Sequence, residues 1–130
     1  MIGDERDAWS LAPVTERIIG CAFRVGNALG QGFVEKVYEN ALAHEMRKAG
    51  LGVVQQRGIV VFYDGVVVGE YTADLIVEDA VIVELKVVGA LSDVHVPQCR
   101  NYVRATGKPL CLLINFGGAK VEIRRITAAA

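Results

Sequence analysis

Three charged residues, Asp74, Glu84 and Lys86, have the side chains and the spacing expected of a catalytic or metal-binding site. Glu84 and Lys86 stand two apart in the otherwise apolar segment 80–88, and residues two apart in a strand point from the same face. Charged side chains are rarely buried without partners, so the pair needs an explanation. One explanation is a mutual salt bridge at an open sheet edge, and the other is a functional site.

The position of Asp74 favours a functional site. A tight turn at Glu78 and Asp79 would place Asp74 opposite Glu84 to within about one residue of register. Two neighbouring carboxylates repel each other unless one is protonated or a cation lies between them, and Mg²⁺ or Mn²⁺ is the natural occupant of an all-oxygen site. Lys86 would then lie beside an attacking water or a developing phosphate charge. A slip of one residue would turn Asp74 to the other face.

Two helical pairs are candidates to extend this site. Glu35 and Tyr38 are three residues apart, and Gln98 and Tyr102 are four apart, so each pair shares one side of its helix. Both tyrosines could instead be core aromatics, and Glu35 a first-turn acid favoured by the helix dipole. For Gln98 and Tyr102 the spacing alone favours the structural interpretation.

An α/β fold must position these residues. Periodicity and turn residues predict the order helix, helix, three strands, helix, two strands, and therefore a mixed β-sheet flanked by helices. The first three strands should form an antiparallel meander, and the apolar strand after the third helix should lie inside the sheet. The predicted helices span 13–29, 34–49 and 93–106, and the predicted strands span 53–62, 66–77, 80–88, 109–116 and 120–126.

Length and composition predict one domain. A chain of 130 residues can bury a single core, so we expect a polar N-terminal tail at 1–12 and one domain at 13–130. The start of the chain has no apolar signal, and no apolar run approaches the ~20 residues that span a bilayer, which predicts a cytoplasmic protein without a membrane role.

A composition of 52% hydrophobic and 22% charged residues predicts apolar surface covered by another copy of the chain, as a homo-oligomer. The three cysteines lack a CxxC pair and are expected to be reduced core thiols.

Charge is distributed unevenly along the chain. The net charge is −1, but six basic residues and a single acidic residue follow position 99. Such a basic segment could follow a phosphate backbone, or it could be an ordinary solvated face.

The ordered motifs extend over most of the chain. Gly32, Glu35 and Tyr38 spell GxxExxY in GFVEKVY, and YTADLIVEDAVIVELK, PQCRNY, GKPLCLLINFG and EIRRI follow in order. From about residue 14 to residue 126, the sequence resembles the GxxExxY family of the PD-(D/E)XK nuclease superfamily. The residue before Asp74 is Ala73, where proline is common in the superfamily.

The resemblance implies an αβββαβ core with a metal-dependent site. By this resemblance Asp74 and Glu84 are metal ligands, Glu35 joins the metal shell, and Lys86 is the catalytic lysine. The resemblance also implies that Gln98 and Tyr102 face the site and the nucleic-acid backbone. Tyr38, which shares a side of its helix with Glu35, is expected to bind the substrate with them.

The leading interpretation is an Mg²⁺- or Mn²⁺-dependent phosphodiesterase that acts on DNA or RNA. The alternative is a self-assembling protein that binds nucleic acid or nucleotide at the same site without turnover. A purely structural domain would leave Asp74, Glu35 and the ordered motifs unexplained.

Overall fold

The computed structural model describes residues 10–128. Most of the predicted tail at 1–12 lies outside these residues, as do positions 129 and 130 of the predicted domain, and the first helix begins at Ala12. The elements are α1 (Ala12–Leu29), α2 (Glu35–Lys48), β1 (Val53–Tyr63), β2 (Val66–Val77), β3 (Val81–Lys86), α3 (Val96–Thr106), β4 (Leu110–Asn115) and β5 (Glu122–Ile126). A single 3₁₀ turn, Asp93–His95, precedes α3.

The five strands form one mixed sheet in the order β1-β2-β3-β4-β5. Strands β1, β2 and β3 are antiparallel, β3 and β4 are parallel across α3, and β5 returns antiparallel to β4. The predicted fold class is therefore confirmed, with β4 inside the sheet. All six residues of β4 are buried, which explains why its sequence is apolar without alternation.

Helices cover both faces of the sheet. Helices α1 and α2 pack on one face around residues such as Leu42 and Val83, and α3 packs on the other around Ile82 and Cys99. Cys21, Cys99 and Cys111 are buried and free, as predicted. Among residues 10–128, none of the helices has both the length and the apolar character needed to cross a bilayer.

The alternation of side chains breaks at one row of the sheet. Ala73 packs with the α3 side and Leu75 with the α1 and α2 side, although residues two apart in a regular strand share a face. Gln56 of β1 lies between the paired positions Gln55↔Leu75 and Arg57↔Ala73, and its φ is +53°. A non-glycine residue with positive φ is uncommon, so the row that joins Gln56 to Asp74 is a local irregularity in both strands.

Asn115 fixes the chain where it leaves β3. Its buried amide accepts the Val88 N–H and donates to the Val88 carbonyl, both at 2.9 Å. The same amide accepts the Gly117 N–H and donates to Glu122, again at 2.9 Å each. Asn115 pairs with Lys86 in the sheet, so this amide holds the segment that directly follows Lys86.

Gly117 allows the backbone of that segment to approach closely. A Cβ at Gly117 would lie 2.4 Å from both the N and the O of Val88, which are backbone atoms that cannot rotate away. We therefore expect Gly117→Ala to lower the free energy of unfolding by about 1–3 kcal/mol, measured by urea denaturation.

Gly20→Ala is the matched control for this prediction. Gly20 lies within α1, and a Cβ there would meet nothing within 4 Å. Since alanine favours helix by up to about 1 kcal/mol over glycine, this variant should be as stable as the wild type or more stable. Equal stability of the wild type and Gly117→Ala would contradict the packing described for Val88.

Candidate active site

Asp74 and Glu84 face each other where the β2–β3 ladder ends. The last regular pair is Leu75 with Val83, and the same register continues to Asp74 opposite Glu84, as predicted. The Asp74 N–H donates to Glu84 Oε1 at 3.0 Å, and the Leu85 N–H donates to Asp74 Oδ2 at 2.8 Å. Each carboxylate thus accepts a hydrogen bond from the backbone of the opposite strand.

Burial makes this pair hard to ionise fully. Glu84 is only 4% exposed, and desolvation followed by the Asp74 charge raises the pKa of Glu84 to about 8. Desolvation also raises the pKa of Asp74, although the hydrogen bond from Leu85 opposes this effect. In the absence of another cation, a proton bound to the pair relieves the repulsion near neutral pH.

Lys86 supplies a positive charge beside the pair without neutralising it by contact. Neither Glu84 nor Asp74 forms an ion pair with Lys86 in the part of the chain that the structure describes, so the mutual salt bridge is absent. The Lys86 charge nevertheless opposes the rise in the pKa of both carboxyl groups, although desolvation outweighs it. Its Nζ donates a long hydrogen bond of 3.5 Å to Gln98 Oε1.

Gln98 and Tyr102 connect α3 to this end of the sheet. Gln98 Nε2 donates to the Tyr102 hydroxyl at 2.9 Å, and that hydroxyl donates to the Thr72 carbonyl at 3.4 Å. Gln98 is exposed beside Lys86, whereas Tyr102 is 2% exposed. Burial and then the charges of Glu84 and Asp74 raise the pKa of Tyr102. Tyr102 therefore anchors α3 to β2, and Gln98 is the member of the pair that reaches solvent.

Glu35 lies near the pair but does not join it. It is the exposed first residue of α2. Partial burial and then the Asp74 charge raise its pKa, while Lys86 lowers it. Within residues 10–128, no three His, Cys, Asp or Glu side chains come close enough together to form a ready metal-binding group. The role of Glu35 as a metal ligand stays a prediction.

Tyr38 lies inside the core. The side chain is fully buried, and its ring stacks on Phe116 with 4.8 Å between centroids. Its hydroxyl donates to the Gly30 carbonyl and accepts the Phe33 N–H. Both the ring and the hydroxyl join the start of α2 to the core, and the role of Tyr38 in binding substrate stays a prediction.

Two residues near the pair were not predicted from the sequence. Glu39, 2% exposed, accepts hydrogen bonds of 2.7 Å from both Gln55 and Gln56, and Gln56 also lies 3.4 Å from Asp74 Oδ1. These contacts link α2 to the carboxylate pair. Glu35 and Glu39 are four residues apart and so share one side of α2, and this spacing could have indicated from the sequence that Glu39 lies near the pair.

The donor set fits a hard divalent cation. Asp74 and Glu84 offer carboxylate oxygens that backbone hydrogen bonds hold in place. Mg²⁺ is usually bound by one or two protein carboxylates, with water and phosphate oxygens completing its shell, so two carboxylates are sufficient. Such oxygen ligands suit Mg²⁺ or Mn²⁺, whereas thiolate and imidazole ligands would favour zinc.

Two solved structures share this fold. The crystal structure of SSO0001 aligns with a TM-score of 0.58 and 13% identity, covering 72% of this chain and 50% of that one. An alkaline exonuclease (LHK-Exo) from Laribacter hongkongensis aligns with a TM-score of 0.52 and 14% identity, covering 86% of this chain and 69% of that one. The chain thus spans half the length of SSO0001, and at this identity both likenesses concern the fold alone.

The family comparison extends over nearly the whole sequence. Comparison with curated proteins finds no match. The family model described as the PD-(D/E)XK nuclease superfamily matches residues 12–126, whereas membership of the GxxExxY family stays a prediction. This match includes α1 through β5 and both members of the carboxylate pair. The chain therefore belongs to the PD-(D/E)XK nuclease superfamily.

Proposed function

We propose that this chain is a metal-dependent nuclease domain that hydrolyses phosphodiester bonds in DNA or RNA. The observation that carries the proposal is the facing pair of half-buried Asp74 and buried Glu84, in which each carboxylate is held by the backbone of the other strand. Lys86 lies beside the pair with no ion pair to either acid among the described residues. Membership of a nuclease superfamily supports the same conclusion.

Asp74 and Glu84 are the residues that would hold Mg²⁺ or Mn²⁺, with Glu35 as a further candidate ligand. When bound, the ion would lower the pKa of a water molecule and offset negative charge on the phosphate. The hydrogen bonds from Leu85 and Asp74 fix one oxygen of each carboxylate in advance, so the pair needs little reorganisation to receive a cation. Gln56 and Glu39 support Asp74 from the side of α2.

Lys86 would stabilise the negative charge of an attacking hydroxide or of the phosphate oxygens. An ammonium group that is not neutralised by contact can act on charge that develops during the reaction. The contact with Gln98 restrains the ammonium, and the bond from Tyr102 to Thr72 restrains Gln98 in turn. Gln98 is also exposed, so its amide is available to a substrate.

The alternative of a self-assembling binding protein has one observation in its favour. The β1–β2 hairpin exposes several large apolar side chains to solvent, including Phe62, Tyr63, Val66, Val67 and Val68. Such a surface favours association with a partner. Turnover separates the two candidate functions, because a binding protein would bind metal and nucleic acid without cleaving the nucleic acid.

The first test of hydrolysis is a Lys86→Met variant. With Mg²⁺ or Mn²⁺, the wild type should cleave at least one of single- or double-stranded DNA or RNA, and Lys86→Met should cleave at least about 100-fold more slowly because it lacks the stabilising charge. Lys120→Met is the control, since Lys120 is exposed in the β4–β5 connection. Absence of cleavage by the wild type, or equal rates in wild type and Lys86→Met, would contradict the proposal.

The pH dependence of stability tests the carboxylate pair. The pKa of Glu84 rises from 4.5 to about 8 on folding, so the folded protein binds this proton more tightly than the unfolded chain. The resulting stabilisation is complete below about pH 4.5 and is lost as the pH rises through about 8. Without metal, the melting temperature should therefore fall as the pH rises over this interval. Glu84→Gln should reduce that slope, because glutamine does not titrate.

Mn²⁺ should reverse this loss of stability by replacing the proton. The rise in melting temperature on adding Mn²⁺ should be large near pH 8 and small near pH 5, and Glu84→Gln should lose most of it. Asp64→Asn is the control, because Asp64 lies in the β1–β2 turn at a positive φ that asparagine also accepts. Equal stabilisation of wild type and Glu84→Gln by Mn²⁺ would place the ion elsewhere.

A further inference from the structure

A groove lies between the β1–β2 hairpin and α3, on the same side of the sheet as Gln98. Its volume is about 490 Å³, and it is lined by Val61, Phe62, Tyr71, Asn101, Arg104 and Ala105. The lining therefore combines two aromatic rings, an amide and a guanidinium, and it includes no acidic residue. Helix α3 itself contains two arginines and no acid.

The groove lies beside Tyr102, the residue that anchors Gln98 near the candidate active site. The ring of Tyr71 contacts the ring of Tyr102 at 5.7 Å between centroids, with 58° between the ring planes. Tyr102 is hydrogen-bonded to Gln98, which contacts Lys86. Tyr71 also precedes Asp74 by three residues in β2, a distance of about 10 Å along a strand. A nucleic-acid strand that extends beyond the groove along β2 would therefore pass close to the carboxylate pair.

The exposed groups in the groove are those that recognise unpaired bases. Tyr71 is 46% exposed and Phe62 is 64% exposed, so both rings offer surface for stacking. Arg104 is exposed and forms no ion pair within residues 10–128, which leaves its charge available for a phosphate or a base. Proteins that bind single strands combine aromatic stacking surfaces with cations along the backbone.

We propose that this groove binds single-stranded nucleic acid, with bases stacked on Tyr71 and Phe62 and the backbone near Arg104. The inference rests on the proposed function and specifies its substrate as a single strand or an unpaired end. A base-paired duplex hides the faces of its bases, so it could not use the two rings.

The test measures the binding of a fluorescent oligonucleotide by its fluorescence anisotropy. EDTA is present so that metal-dependent cleavage does not interfere. The wild type should bind the single strand at least about ten-fold more tightly than a blunt duplex that contains the same strand. Tyr71→Ala should weaken strand binding about ten-fold, and Tyr71→Phe should retain it, because stacking needs the ring and not the hydroxyl. Tyr63→Ala is the control, since Tyr63 is 74% exposed on the same hairpin but does not line the groove.

Arginine variants test the electrostatic part of the proposal. Arg104→Gln should weaken binding to the strand and reduce its dependence on salt concentration, because one phosphate contact is lost. Arg125→Gln is the control, as Arg125 is exposed on β5 at the opposite edge of the sheet from β1. Equal effects of the two arginine variants would overturn the assignment of the groove.

Other outcomes separate the groove from the nuclease activity. Equal affinity for strand and duplex, or equal losses in Tyr71→Ala and Tyr63→Ala, would overturn the inference. A dimer that Phe62→Ser dissociates, together with no strand binding, would overturn it in favour of a second copy. Duplex cleavage that Tyr71→Ala leaves unchanged would overturn the inference and keep the proposed function. Strand binding that requires Tyr71, with no cleavage of any substrate, would support the groove and contradict hydrolysis.

Discussion

The burial of two facing carboxylates at the end of the β2–β3 ladder is the constraint on which the rest of the site depends. Asp74 and Glu84 would repel each other as bare ions, and the buried Glu84 cannot be hydrated freely, while Asp74 is half-buried. The two backbone hydrogen bonds across the strands offset part of this cost and also end the regular pairing. The raised pKa of both carboxyl groups favours a positive partner, which would be a proton in the absence of metal and a divalent cation in the proposed enzyme.

The surrounding elements keep that pair in one geometry. On the side of α2, Gln56 adopts a positive φ and connects Glu39 to Asp74. On the side of β4, the buried amide of Asn115 fixes the chain that follows Lys86. On the side of α3, the contact of Tyr102 with Thr72 holds the helix that carries Gln98. Contacts from α2, from β4 and from α3 thus meet at the end of the β2–β3 ladder.

Much of this arrangement could be predicted from the sequence because short connections leave few alternatives. The turn at 78–80 is so short that the strands on either side could place Asp74 only opposite Glu84 or one residue away. The apolar run of β4 likewise required a position inside the sheet. The positive φ of Gln56 was not predictable, since glutamine has no preference for it. The contacts that Gln56 makes with Glu39 and Asp74 were therefore not predictable either. The full burial of Tyr38 could not be predicted either, because helical spacing gives the side of the helix on which a residue lies but not its depth in the core.

The central claim is that Asp74 and Glu84 together form a metal-binding site. Calorimetric titration of Mn²⁺ and Mg²⁺ into the wild type and into the double variant Asp74→Ala, Glu84→Ala tests it most directly, because it needs no substrate. We expect saturable binding to the wild type that the double variant lacks. Binding of equal strength to both proteins, or no binding to the wild type, would contradict it.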